Sequence, residues 1–164
     1  MRSIASTALI LVAATTTSAA PRTLKLCFVI PFDGSYQQVA LGGMLAAEHI
    51  NSDNYDFVSS NALVGSQTLK DLQIELETIA QGTKTETYDA VEQCVNNGGV
   101  GVIGPAYSSR SVVLSQYLLR QRHIPAISFS ATSPDLSDAG LYPYFSRTII
   151  PDNNIAFAVV DFIQ

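Results

Sequence analysis

The feature that most constrains the fold of this chain is a regular alternation of strand and helix patterns from Thr23 onward. Short apolar or alternating runs, bounded by proline, glycine and polar residues, are typical of strands. Five such runs occur, at 24–30, 71–79, 100–103, 124–129 and 144–149. Strands separated by helices predict an α/β fold, with a doubly wound parallel sheet of about five strands and helices on both faces.

The intervening segments have the spacing of helices. The predicted helices are 36–50, 83–95, one that Ser108 or Ser109 caps, and one from 153 onward that Asp152 caps. In the first helix three apolar residues share one face at i, i+3 and i+4 spacing, namely Leu41, Met44 and Leu45. The polar segment 53–70 shows neither the two-residue period of a strand nor the 3.6-residue period of a helix, and it is predicted to be a surface excursion.

The N-terminus is predicted to be a targeting segment. A basic residue at position 2, an apolar stretch at 8–14 and small residues before Pro21 are typical of a signal peptide. We expect residues 1–20 to form it, with cleavage near Ala20, and residues 21–164 to form one domain. The chain is therefore expected to be secreted or extracellular.

Composition excludes several classes of function. The net charge is −5 and no cluster of Lys and Arg occurs, which argues against binding to nucleic acid. Two isolated histidines and two separated cysteines give no metal site, and no phosphate-binding or dinucleotide motif indicates a cofactor. No G-x-S-x-G elbow is present, and neither His49 nor His123 is placed to act as a base for Ser108. We predict that the chain is not an enzyme.

The two cysteines leave two alternatives open. Exported thiols tend to pair, and Cys27 in the first strand and Cys94 at the end of the second helix should lie toward the same edge of the sheet. A disulfide is one hypothesis, and two buried free thiols are the other.

A candidate binding site follows from the parallel sheet, because ligands bind at the carboxyl ends of its strands. The loops there contain Tyr36, the pair Ser108 and Ser109, and the hydroxyls of Thr132 and Ser133. Hydroxyls and the N–H groups of a helix start suit a small anion or zwitterion, with Tyr36 as an aromatic wall. The alternative is structural, since serines at helix starts are commonly caps and the segment after Ser130 is rich in turn formers.

A long ordered string of residues then resembles a known family. It consists of 101–105 (GVIGP), Ser108 and Ser109, 124–125 (IP), 128–138 (SFSATSPDLSD), 142–148 (YPYFSRT), 151–153 (PDN) and, earlier, 46–51 (AAEHIN). This string resembles the receptor family ligand-binding region, whose fold is that of type I periplasmic binding proteins. That family includes the extracellular domains of family C G-protein-coupled receptors and natriuretic peptide receptors. The GABA-B and metabotropic glutamate branches are the most similar.

The resemblance implies lobe one of a two-lobed receptor domain that binds an amino acid or a similar small molecule. It places Ser108, Ser109 and Thr132 at the ligand carboxylate, with Ser130 as a weaker neighbour and Tyr36 beside them. Tyr107 is an insertion relative to the glutamate-receptor pattern, which leaves the choice between the two serines open. It also implies a receptor dimer and a second lobe and membrane module that this chain lacks, so we expect a truncated product. A fragment of a soluble amino-acid binding protein is the alternative.

Overall fold

The computed structural model describes residues 22–34, 36–52 and 72–163. The predicted signal peptide and the predicted surface excursion lie outside the described residues. None of the described helices is long and apolar enough to cross a bilayer.

The described elements alternate as the sequence predicts. The strands are β1 (Arg22–Ile30), β2 (Leu72–Ala80), β3 (Gly99–Ile103), β4 (Ala126–Ser128) and β5 (Phe145–Arg147). The helices are α1 (Gln37–Asn51), α2 (Lys84–Asn96), α3 (Ser108–Val113), α4 (Arg120–Arg122) and α5 (Asp152–Ile163). A π-helical segment, Leu114–Leu119, joins α3 to α4, and a 3-10 turn, Pro134–Ser137, precedes β5. The fourth and fifth strands are shorter than predicted.

The five strands form one parallel sheet in the order β2-β1-β3-β4-β5. β1 pairs with β2 along its whole length, from Arg22 opposite Leu72 to Ile30 opposite Ala80. Because every strand points the same way, the loops that follow them emerge at one edge. The predicted fold class is confirmed.

Side chains of β1 alternate between two apolar layers, one on each face of the sheet. Cys27 and Val29 join a buried cluster with Val91 of α2 and Leu118 of the π-helical segment. On the other face Phe28 and Ile30 pack with Ala40 of α1. Burial of these layers from both sides drives the sheet and its helices together.

Two helices expose apolar side chains. Leu41, Met44 and Leu45 of α1 point away from the sheet and are 66%, 45% and 52% exposed. α1 instead approaches the sheet through Ala40, Ala47 and Gly43, which lies against the ring of Phe28. α5 has no buried residue, although it is strongly apolar.

The prediction that Ser108 or Ser109 caps the third helix is wrong. The N-cap is Tyr107, and it makes no side-chain capping hydrogen bond. Both serines lie inside the first turn, where their hydroxyls have other partners. The helix start at Thr83 is different, because Thr83 and Glu86 form a complete capping box there.

The predicted bridge between the cysteines is confirmed, and the alternative of two free thiols is excluded. Cys27 and Cys94 form a disulfide across 67 residues of sequence, with a Cα–Cα distance of 6.1 Å. Both are fully buried between β1 and the end of α2. Gly99 passes so close that an added Cβ would lie 2.5 Å from the Cys27 sulfur.

Candidate functional site

Three loops meet at the carboxyl edge of the sheet, as expected for parallel strands. The loop after β3 starts at Gly104, whose φ of +101° is a conformation that side chains other than glycine rarely adopt. A Cβ at Gly104 would also lie 2.2 Å from the Val29 carbonyl oxygen. The tight turn brings Pro105 under β4, where its carbonyl accepts the Ser128 hydroxyl at 2.7 Å. The loops after β3 and β4 are therefore held side by side. The three loops follow β1, β3 and β4. We call the polar residues at this edge, including those at the starts of α3 and α5, the rim: Asp33, Tyr36, Tyr107, Ser108, Ser109, Arg110, Ser130, Thr132, Ser133 and Asp152.

Tyr36 links the first loop to the loop after β4. Its hydroxyl lies 3.1 Å from the Ser130 hydroxyl, and either oxygen can donate the proton. The Tyr36 ring contacts Tyr107 edge-on, with centroids 5.9 Å apart, and Phe129 at 6.1 Å. Tyr36 therefore lies next to the hydroxyls of the rim, and its role as an aromatic wall of a binding site stays a prediction.

The hydroxyls of Ser108 and Ser109 both act as acceptors within the protein. Ser108 Oγ accepts the backbone N–H of Ser133 at 3.1 Å, and Ser109 Oγ accepts a guanidinium N–H of Arg110 at 2.9 Å. A hydroxyl carries one proton of its own, so each serine keeps that proton for a further acceptor. Both side chains are half-buried. No described hydrogen bond uses either proton, so both hydroxyls can donate, as a carboxylate partner requires.

Thr132 has the opposite polarity. Its hydroxyl donates to Oδ2 of Asp152 at 3.0 Å, and the Asp152 backbone N–H donates to the Thr132 carbonyl at the same distance. The reciprocal pair ties the loop after β4 to the start of α5. The exposed carboxylate and the Thr132 oxygen are acceptors, so this part of the rim suits a ligand N–H or an ammonium group.

Asp33 and Tyr107 form a second polar pair on the rim. The Tyr107 hydroxyl donates to Asp33 Oδ2 at 2.8 Å. This hydrogen bond, with a smaller contribution from burial, raises the pKa of the Tyr107 phenol above its ordinary value. Tyr107 therefore stays protonated and a donor across the physiological range.

Arg147 of β5 holds the backbone of the loop after β4 through hydrogen bonds. Its guanidinium donates to the carbonyls of Ala131 and Ser133, at 3.2 and 2.8 Å, and to the Ser137 hydroxyl. A cavity of about 430 Å³ lies beside Arg147, between the 3-10 turn and β5. None of the predicted site residues lines it.

The structure brings all five predicted site residues to one edge, in two groups. Tyr36 contacts Ser130, whereas Ser108 contacts the backbone of the Thr132 loop through Ser133. Sequence reasoning missed Asp33, Arg110 and Asp152, whose side chains complete the rim. The sequence offered a weak signal for two of them, because Asp152 comes shortly after the fifth predicted strand and Arg110 directly follows the serine pair. Neither position in the sequence indicates the direction of the side chain.

Comparison with known proteins assigns the chain to a family. The model of the family described as "Receptor family ligand binding region" matches residues 45–164. Human metabotropic glutamate receptor 8 is 46% identical over 63 residues, which are 38% of this chain and 7% of the receptor. Metabotropic glutamate receptor 4 of Rattus norvegicus is 45% identical over 65 residues, or 40% of this chain and 7% of that receptor. The chain thus matches only a small part of the length of these receptors.

A solved structure supports the fold. The ABC transporter substrate-binding protein from Desulfitobacterium hafniense matches 84% of this chain and 37% of its own, with a TM-score of 0.67. At 22% sequence identity, this likeness shows a shared fold and carries no information on the ligand.

Proposed function

We propose a small-molecule binding function, because this chain belongs to the receptor family ligand binding region. The family that the sequence resembles is confirmed by this match. In our proposal the chain is lobe one of an extracellular receptor domain, its ligand is an amino acid or a similar zwitterion, and the remainder of a receptor acts with it. The soluble binding protein considered from the sequence is less favoured, since only the fold supports it.

The observation that carries the proposal is the hydrogen-bond polarity of the rim. Ser108 and Ser109 have protons available, because each oxygen accepts a bond and neither hydroxyl donates in any described hydrogen bond. Thr132 and Asp152 present acceptors, because the Thr132 proton is used by Asp152. A zwitterion carries an acceptor carboxylate and a donor ammonium. The two halves of the rim match these two groups.

This polarity refines the role that the resemblance gives to Thr132. Sequence reasoning places its hydroxyl at the ligand carboxylate. In our proposal the serine pair takes the carboxylate, and Thr132 acts mainly through the Asp152 carboxylate and the ammonium. Tyr36 and Ser130 close the side of the site through their mutual hydrogen bond.

The hydrogen bonds of the rim give no support to a hydrolase function, which would need a base beside a nucleophilic serine. The Ser108 hydroxyl accepts a backbone N–H from Ser133, so no base within the described hydrogen bonds activates it. His49 near the end of α1 and His123 before β4 belong to the opposite edge of the sheet. The relatives named above are receptors.

The test is a titration of the isotope-labelled chain, followed by NMR, with L-glutamate, glycine and γ-aminobutyrate as zwitterionic probes. We expect shifts of the rim amides at probe concentrations in the millimolar range, because one lobe makes only part of the contacts. Thr132→Ala should weaken binding severalfold, because it removes the hydroxyl that holds the Asp152 carboxylate at the rim. Ser146→Ala, an exposed serine of β5, is the matched control and should bind as the parent does.

Binding that resists Thr132→Ala would exclude Thr132 from the site. Absence of any rim shift with all three probes would contradict the proposed function of this chain.

We also propose that the receptor acts as a dimer through α1. The exposed Leu41, Met44 and Leu45 form a continuous apolar stripe that a second copy would cover. Sedimentation equilibrium should show a concentration-dependent dimer that Leu41→Glu abolishes. A monomer at all concentrations would remove this part of the proposal.

A further inference from the structure

Arg110 is an unexpected cation on the rim. It lies in the first turn of α3, directly after the serine pair, and its side chain is half-buried. Its Nε and one terminal nitrogen donate to the Gly82 carbonyl at 3.1 and 3.0 Å, and the other terminal nitrogen donates to Ser109. The guanidinium also lies over the ring of Tyr107, 5.5 Å from the centroid. These contacts fix its plane.

None of these partners neutralises the charge of Arg110. They are a backbone carbonyl, a hydroxyl and an aromatic ring. Among the described residues no carboxylate lies within 4.0 Å of this guanidinium, whereas Lys25 has both Glu75 and Glu77. A partly buried cation without an anion is unfavourable. In a chain of net charge −5, acidic side chains are available, yet none of those in the described part of the chain is placed here.

Arg110 also has N–H donors that no described hydrogen bond uses. A guanidinium has five N–H donors, and three are accounted for by Gly82 and Ser109. Ser109 lies in contact with the guanidinium, and its own proton has no acceptor among the described hydrogen bonds. One incoming oxyanion can accept a charge-assisted hydrogen bond from Arg110 and a second hydrogen bond from Ser109.

The residues at the start of α2 hold the acceptor of Arg110 in place. Gly82, its acceptor, directly precedes Thr83, whose capping box with Glu86 holds the start of α2. A Cβ at Gly82 would lie 2.5 Å from a Glu86 carboxylate oxygen, so this backbone approaches closely. The guanidinium is thus held in place before any ligand arrives, which lowers the ordering cost of binding.

We propose that Arg110 is a ligand-contacting residue of this chain and that, with Ser109, it holds a carboxylate group of the ligand. This inference rests on the proposed function, and it adds a charge requirement to it. A ligand that lacks the carboxylate would leave Arg110 uncompensated and would be rejected. Arg110 thereby selects acidic or zwitterionic ligands over amines and neutral molecules.

The experiment is an NMR titration of the isotope-labelled full chain with L-glutamate, following the rim amides and the Arg110 Nε–H resonance. We expect that resonance to shift with the same midpoint as the rim amides. Arg110→Gln should weaken L-glutamate binding at least tenfold, and Arg110→Lys should recover part of the loss because it keeps the charge. Arg122→Gln removes the same charge from an exposed site at the end of α4 and should bind as the parent does.

The outcomes separate this inference from the proposed function. If the rim amides shift while the Arg110 resonance stays fixed and Arg110→Gln binds normally, Arg110 only clamps Gly82, and this inference is overturned while the proposed function stands. If no zwitterionic probe shifts the rim, both are overturned. Should Arg110→Gln fail to fold, the resonance of Arg110 in the parent protein still decides the question.

Discussion

Removal of the Cys27–Cys94 bridge gives the sharpest prediction on stability. In the chain-entropy description, a crosslink acts by restricting the unfolded chain, and the effect grows with the length of the closed loop. Closing 67 residues removes about 15 cal/mol/K, or about 4 kcal/mol at 25 °C. We therefore expect Cys27→Ala/Cys94→Ala to lose about 4 kcal/mol of unfolding free energy. Since domains of this kind have about 5–15 kcal/mol in total, the variant should be only marginally stable.

The assay is urea unfolding followed by circular dichroism, with the parent protein kept oxidised. Val91→Ala is the matched control, because Val91 is fully buried in the same cluster but closes no loop. The double variant should show a larger m-value as well as a lower midpoint, since its unfolded chain is more expanded, whereas Val91→Ala should lower only the midpoint. A loss below about 1 kcal/mol, with the m-value of the parent, would refute the crosslink argument.

Two further predictions concern α1 and the rim. Gly42→Ala should stabilise the protein by up to about 1 kcal/mol, because the added methyl meets no atom and favours the helix. Gly43→Ala should destabilise it by about 1–3 kcal/mol, since the methyl would lie 2.6 Å from the buried Phe28 ring, and equal effects in urea unfolding would contradict this contrast. The hydrogen bond to Asp33 raises the pKa of Tyr107, so the bond stabilises the folded protein while the phenol is protonated. This contribution to the unfolding free energy is complete below about pH 10 and is lost as pH rises through the folded-state pKa of Tyr107. Asp33→Asn should lower the alkaline midpoint of Tyr107 in an NMR titration that resolves each of the seven tyrosines, and an unchanged midpoint would count against the bond.

Strand and helix periods predicted the fold of this chain well, because both periods follow from burial on a two-sided sheet. Strand 100–103 reads as apolar throughout, and β3 is indeed internal, between β1 and β4. The direction in which α1 faces was less predictable. Leu41, Met44 and Leu45 have helical spacing whether their face of α1 packs on the sheet or is exposed to solvent. The close contact between Gly43 and the Phe28 ring shows that α1 packs on the sheet through the face that contains Gly43.

The loops of the site could be located from sequence, but their hydrogen bonds could not. The carboxyl edge of a parallel sheet is set by topology, which places Tyr36, Ser108 and Thr132 together without knowledge of any side-chain rotamer. Which hydroxyl donates depends on neighbours distant in sequence. Thr132 becomes an acceptor toward the site only because Asp152, twenty residues later, takes its proton. Ser108 was expected to cap its own helix and instead accepts from Ser133.

In the proposed function, these internal hydrogen bonds also decide which rim residues are already positioned before a ligand binds. The donor half of the rim is held before binding, because the Ser133 N–H fixes Ser108 and Arg110 fixes Ser109. On the acceptor half, a carboxylate has about four lone-pair sites, so Asp152 can accept an ammonium without releasing Thr132. However, α5 buries none of its residues, so its start is held to the rim chiefly by the reciprocal bonds with Thr132. In the proposed binding mode the position of the Asp152 carboxylate therefore depends on these bonds, and a partner surface that packs α5 should tighten ligand binding without touching the ligand.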